Sequence, residues 1–128
     1  MPNLAYFEVP ADDLKRAKKF YKDLLGWEFA KNQNPEVAME YWEITTGPAE
    51  EGTISRGGMY QRPEPVPHGI VTYVKVNDLD KTLAKVEKQG GKIVMPKMSV
   101  KMVGSMAHIL DSEGNTIALW EPEAVSGR

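Results

Sequence analysis

The sequence predicts an α+β fold of two tandem βαβββ modules. Three observations carry this prediction. Residues Leu4–Trp27 read in order as a strand, a turn, an amphipathic helix and a glycine stop. The same order returns about 66 residues later, in Ile70–Val94. Behind each helix come short runs of strand composition, divided by turn-rich breaks.

In the first module, Leu4–Val9 is short, apolar and aromatic, as a strand requires, and Pro10 and Ala11 are expected to break it. Asp12 or Asp13 can accept a backbone N–H and cap the helix that follows. Leu14, Ala17, Phe20, Tyr21, Leu24 and Leu25 recur at helical spacing, so they share one face and should meet the core. Lys15, Arg16, Lys18, Lys19 and Lys22 lie mostly off that face. Gly26 can take the left-handed conformation that ends a helix. Trp27–Ala30, Met39–Thr46 and Thr53–Tyr60 are the strands expected next. The Gly57-Gly58 pair leaves the last of them with a gap in side-chain cover or a bulge.

Residues 62–69 hold three prolines and suit an extended linker of limited flexibility. Beyond it, Tyr73–Val76 answers Tyr6–Val9, and Asp78-Leu79 answers Asp13-Leu14. Leu79, Leu83 and Val86 form the second apolar stripe, and Gly90-Gly91 answers Gly26. Lys92–Met95, Met102–Leu110 and Thr116–Glu121 are the remaining strands, with a turn at Asp111–Asn115. The expected layout is one domain: module one at 3–61, linker at 62–69, module two at 70–122 and a loose tail at 123–128.

A chain of 128 residues can bury a core without staples. The absence of cysteine excludes disulfides, thiolate metal sites and cysteine nucleophiles, and is compatible with a cytoplasmic location. A net charge of −2 gives no basic footprint for nucleic acid. No apolar run approaches the roughly 20 residues of a membrane span, and the N-terminus lacks the pattern of a signal peptide. A cytoplasmic protein that meets neither nucleic acid nor membrane is therefore expected.

Strand alternation separates two sheet faces. Phe7 and Val9, with Val74 and Val76, suit the helix-packing side. Tyr6, Glu8, Tyr73, Lys75 and Trp120 fall on the other. Aromatic residues beside charges fit a concave small-molecule site, and equally a half-wet sheet face. Glu8 and Lys75 occupy matching positions and would form an ion pair if the modules met face to face. His68 lies in the linker, where a solvated or turn role is the simpler reading. His108 reads either as a packed, hydrogen-bonded histidine or as a cavity residue. Glu8, Glu40, Glu43 and Glu121 are the strand carboxylates that could supply oxygen ligands. The glycine pairs are not phosphate loops, and no nucleophile elbow is present. Met95, Met98, Met102 and Met106 around KMSVK read as core filling, an adaptable ligand wall or a dimer surface, to which Trp42 adds apolar area.

The motifs YFEVPADDLKRAKKFYKDLLGW, KVNDLDKTLAKVEKQGGKIV and MPKMSVKMVGSMAHILDSEGNTIALWEP, in this order, resemble the vicinal-oxygen-chelate superfamily of glyoxalase I, bleomycin-resistance proteins and extradiol dioxygenases. The resemblance runs from about Asn3 to Pro122. It implies paired modules whose mixed sheets curl around a cavity, a small-molecule ligand, and a homodimer. Metal enzymes of this superfamily carry His, Gln or Glu on the first and last strand of each module. Carried over, those positions are Leu4, Val71 and Ala118, with Arg56 as the fourth and Ser55–Gly58 as its margin. None is a usual ligand for a divalent cation. The chain thus resembles the small glyoxalase-like members that lack the usual ligands. The expectation is a small-molecule binding protein without metal or other cofactor, its cavity lined by Tyr6, Glu8, Arg56, Tyr73, Lys75, His108 and Trp120. The alternative is a lyase, isomerase or dioxygenase-type enzyme using displaced metal ligands or no metal.

Overall fold

In the computed structural model, residues 3–35, 37, 39–48, 50, 54–62 and 69–123 are described. The chain is α+β and its elements run βαβββ twice: β1 Asn3–Ala11, α1 Leu14–Leu25, β2 Glu28–Lys31, β3 Tyr41–Thr45 and β4 Arg56–Gln61, then β5 Val71–Lys75, α2 Leu79–Val86, β6 Lys92–Val100, β7 Gly104–Leu110 and β8 Thr116–Pro122. These residues fall into two compact units, 6–71 and 72–123, the second joined by residues 3–5.

In the first unit the strands lie in the order β2-β3-β4-β1. β1 runs parallel to β4, with Phe7 opposite Gly57 and Glu8 opposite Gly58. The other two pairings, β3 with β4 and β2 with β3, are antiparallel. Parallel neighbours cannot be joined by a tight hairpin. The intervening helix and strands make the crossover, and they lay α1 on one face. Phe7, Val9, Ala11, Ile44 and Met59 meet Leu14, Ala17, Tyr21 and Trp27 there.

The caps follow from local chemistry. Asp13 takes an extended conformation and its carboxylate accepts the Arg16 N–H at 3.0 Å. Gly26, at φ 75°, closes α1 with a bond from its N–H to the Lys22 carbonyl. The chain then folds Trp27 back onto Tyr21, with near-parallel rings 4.9 Å apart.

Three expectations for this unit need correction. Pro10 and Ala11 do not break β1; they pair with Tyr60 and Gln61. Proline's fixed φ suits an extended strand, and its carbonyl still accepts a bond, here from Arg62 Nη2. The apolar stripe of α1 is wider than the sheet beneath it. Phe20 is 57% and Leu24 64% exposed, and Leu25 is exposed as well. Trp42 is not loose surface; it packs against the core cluster with the Lys18 ammonium 3.2 Å from its ring centroid.

The second unit repeats the scheme in the order β5-β8-β7-β6. β5 is parallel to β8, with Val74 opposite Leu119, and the other two pairings are antiparallel. Val76, Leu79, Ala107 and Leu119 form its core, with Val74, Leu83 and Ile109 against it. Asp78 caps α2 through the Lys81 N–H, and Glu121 accepts the Leu79 N–H at 2.8 Å. Glu121 is thereby a helix-capping group, a role its sequence position does not announce.

Gly90-Gly91 does not stop α2 as Gly26 stops α1. The helix ends at Val86, and a further turn intervenes before Gly90 reaches φ 93°. β6 runs past Pro96 to Val100, because register shifts on either side of Met95 absorb the irregularity and β6 lies at the end of its strand order. Met102 sits in a turn at φ 72° and is exposed, as is Met98, so neither fills the core. The Asp111 carboxylate accepts the N–H groups of Glu113 and Asn115, and these bonds hold its pKa below the usual carboxylate range. Most of the linker, His68 included, lies outside the described residues, as does the tail beyond Glu123.

Burial decides what each stripe residue contributes. Leu79→Ala, at a fully buried position, is expected to cost about 2–5 kcal/mol in urea unfolding, whereas Leu24→Ala should stay within about 1 kcal/mol. Equal losses would contradict the assignment of Leu24 to the surface.

Candidate functional site

Because paired residues in a ladder face the same way, the registers show what shares the open face of the first unit. Tyr6, Glu8 and Pro10 of β1 stand with Arg56, Gly58 and Tyr60 of β4, and with Tyr41, Glu43 and Thr45 of β3. The alternate residues face α1.

The Gly57-Gly58 gap is filled from both sides. A Cβ on Gly57 would lie 2.6 Å from the Phe7 ring on the helix face. A Cβ on Gly58 would fall on the Tyr41 hydroxyl on the open face. The missing side chains admit one aromatic ring to each surface.

Seated there, Tyr41 Oη donates to Glu8 Oε2 at 2.8 Å, and Tyr6 Oη lies 2.7 Å from Tyr41 Oη. Beside this chain, Asn32 Nδ2 donates to Glu43 Oε2 at 2.8 Å, and Arg56 Nη2 is 3.6 Å from Glu43 Oε1. Burial, with Glu8 and Glu43 adding and Tyr41 and Arg56 opposing, pushes Tyr6 up to about 12. Burial first and then the Glu8 charge hold Tyr41 well above the ordinary phenol value. Burial and Glu8 also raise Tyr60. These phenols therefore stay protonated at neutral pH and serve as hydrogen-bonding groups rather than bases.

The corresponding face of the second unit carries Tyr73, Lys75, His108 and Trp120, again by register. Tyr73 is buried and meets the His108 ring edge-on at 6.1 Å. Trp120 Nε1 donates to the Val103 carbonyl at 2.9 Å. Met95 pairs with His108, and Met106 with Trp120. Tyr6, Glu8 and Arg56 thus share one face of the first unit's strands, while Tyr73, Lys75, His108 and Trp120 share the matching face of the second unit's strands. Tyr41, Asn32 and Tyr60 were not singled out in the sequence, and Glu43 was named only as a possible oxygen ligand. The alternation in MEYWEITT was the available signal, since it separates Tyr41 and Glu43 from Trp42 and Ile44.

The registers also relate the halves. Phe7 pairs with Gly57 and Val74 with Leu119, so Arg56 is equivalent to Ala118 and Gly58 to Trp120. Tyr41, opposite Tyr60, is equivalent to Gly104, opposite Pro122. Each half therefore sets one aromatic diagonal to one glycine on the adjacent strand, with the strands exchanged: Tyr41 with Gly58, and Trp120 with Gly104.

The residues at the transferred metal positions do not fit a divalent cation. Leu4, Val71 and Ala118 have no donor side chain, Ala118 is fully buried, and Arg56 is cationic. Among the described residues no three His, Asp or Glu side chains come together as a metal cluster. Of the other strand carboxylates, Glu40 accepts the Trp42 indole N–H and Glu121 caps α2. No helix among the described residues is long and apolar enough to cross a membrane.

A model of the Glyoxalase/Bleomycin resistance protein/Dioxygenase superfamily matches residues 3–119. A glyoxylase-like domain-containing protein of Didymella fabae is 33% identical over 114 residues, covering 88% of each chain. CFP32 of Mycobacterium bovis, which bears a provisional glyoxylase name, is 29% identical over 120 residues. That match covers 91% of this chain but only 44% of CFP32, so this chain spans less than half of that relative. The crystal structure of methylmalonyl-CoA epimerase from Mycobacterium tuberculosis shares the fold, with a TM-score of 0.67 at 19% identity over 94% of this chain and 88% of the epimerase.

The raised phenols give stability a defined pH dependence. An unfolded tyrosine loses its proton near pH 10, whereas folded Tyr6 keeps its proton to about 12. Their contribution is fully present below pH 10 and is lost as pH rises through the folded values, because the unfolded chain then binds fewer protons. The urea midpoint should fall from pH 10 to 11, and Tyr6→Phe/Tyr41→Phe should flatten part of that fall. An equally steep fall in the double variant would contradict the burial of these hydroxyls.

Proposed function

Because the chain belongs to the Glyoxalase/Bleomycin resistance protein/Dioxygenase superfamily, we propose that it binds a small, partly aromatic or amphiphilic molecule, without a divalent metal at the positions the superfamily's metal enzymes use. The observation that carries this reading is the chain of hydrogen bonds on the open face of the first unit, where Tyr41 lies in the seat left by Gly58 and joins Tyr6 to Glu8. Such a surface combines apolar ring area with a few fixed polar atoms, which is the composition of a small-molecule site. Neither phenol is activated as a base, and the transferred metal positions lack donors. Binding is thus better supported than metal-assisted chemistry. Tyr73, Lys75, His108 and Trp120 offer a second surface of similar make-up on the second unit's strands.

Two measurements test this. After dialysis against zinc, nickel and manganese, elemental analysis should give well under one ion per chain; a stoichiometric ion would overturn the metal-free reading. In a fragment screen read by amide shifts, binders should move residues of β1, β3 and β4, and Tyr41→Ala should weaken them by about tenfold or more. Binders unaffected by Tyr41→Ala but lost with Trp120→Ala would move the function to the second unit's face.

The same reading includes self-association. Val94, Met98 and Met102 expose apolar area along β6 and the turn after it. Sedimentation at micromolar concentration should give a homodimer; a single 14.3 kDa species there would remove this part of the proposal.

A further inference from the structure

The outer flank of α1 is left exposed. Leu14, Ala17 and Tyr21 pack inward. Arg16, Phe20 and Leu24 follow at four-residue intervals, a row about 12 Å long beside that inner face. Phe20 is 57% and Leu24 64% exposed. With Lys19 and Asp23 the row lines a shallow groove open to solvent. The Phe20 ring is held in place, because it meets Tyr21 edge-on at 5.3 Å and Tyr21 stacks on Trp27.

The charge of this helix is one-sided. Between Leu14 and Leu25 stand Lys15, Arg16, Lys18, Lys19 and Lys22, against the one acid Asp23. Lys18 lies over Trp42, and Lys19 pairs with Asp23. Among the described residues Lys15, Arg16 and Lys22 meet no carboxylate, and all three are exposed. Lys15 and Lys19, and Lys18 and Lys22, stand four apart, where like charges repel. The cations are a local concentration in a chain whose net charge is −2.

These properties select an occupant. An aromatic ring, an arginine and exposed apolar area together have the composition of a protein-binding hot spot. A row along a helix axis fits a second helix laid beside it. A bilayer fits worse. By helical spacing Lys19 and Asp23 stand on the crest of α1, opposite the packed face, with Phe20 and Leu24 on its flank. The charged pair would therefore reach the hydrocarbon before the apolar residues did. A nucleic acid would satisfy the cations through its phosphates and leave the apolar row uncovered.

We infer that this flank docks an acidic amphipathic helix of a partner protein. Its apolar residues cover Phe20 and Leu24, and its carboxylates meet Arg16 and Lys19. Lys15 and Lys22, on the far flank, add longer-range attraction. The surface lies on the helix side of the first unit, away from the sheet face proposed to bind a small molecule, so each stands or falls without the other.

The test pans random peptides about four helical turns long against the full chain. Enriched peptides should carry Asp or Glu beside Leu or Phe at helical spacing, bind at micromolar concentration and weaken as salt rises. Phe20→Ala and Leu24→Ala, each with an unchanged urea midpoint, should weaken them about tenfold or more. Arg16→Glu, which suits the first turn of a helix, should do the same and slow association. Enrichment of peptides without acidic residues, or none at all, would overturn the proposal. So would peptides unmoved by all three variants. Phosphatidylserine vesicles or a DNA duplex bound more tightly than the peptides, and released by Phe20→Ala, would replace the proposed partner. A homodimer dissociated by Phe20→Ala would put a second copy there instead.

Discussion

The parallel ladder between the first and last strand of each half is the constraint on which the remaining structure depends. Strands paired this way need a long crossover rather than a turn. In both halves the crossover contains a helix, and the helix must bury one stripe against the sheet. That requirement sorts every strand residue. Phe7, Val9, Ile44 and Met59 go to α1, and Val74, Ala107 and Leu119 go to α2. The alternate residues are left on the opposite face, where tyrosines, glutamates and an arginine can be grouped without disturbing either core.

The same scaffold then carries two different chemistries. On the helix faces Val9 and Val76, and Leu14 and Leu79, match between the halves, whereas Phe7, Gly57 and Ile44 answer Val74, Leu119 and Ala107, so that apolar volume is redistributed among neighbouring strands. On the open faces, register sets Glu8 against Lys75, Glu43 against Met106, Thr45 against His108 and Arg56 against Ala118. A core can exchange volume among neighbouring positions as long as it stays apolar and filled. The open face is free to change charge and polarity, and it has done so at each of these positions.

Local chemistry was readable in the sequence. Asp13, Asp78 and Gly26 act within a turn of their own position, so their roles as caps required no knowledge of the fold. Prolines misled where ladder pairing overrode local preference: β1 runs through Pro10 and β6 through Pro96. The α1 stripe misled for another reason. Periodicity tells which residues share a face, not how much of that face the sheet covers, so Phe20 and Leu24 read as core. The candidate site was half legible. Tyr6 and Glu8 could be placed on one face by alternation within β1, whereas Arg56 was reached only as a transferred metal position. Tyr41 could not be joined to Glu8, because that contact depends on the register between strands far apart in sequence. The glycine pair announced a vacancy in β4 and gave no sign of what would fill it.

The glycines on the two aromatic diagonals resist substitution for different reasons. Tyr41 and Gly58 share one volume, since a single methyl on the glycine would already meet the tyrosine hydroxyl. Trp120 stands on the reversed diagonal, anchored at the carbonyl preceding Gly104. Gly104 lies at φ 124°, and a Cβ there would meet the Glu121 carbonyl rather than the indole. A smaller residue in place of Tyr41 would therefore open room for a side chain at position 58, whereas no change at Trp120 would admit one at position 104.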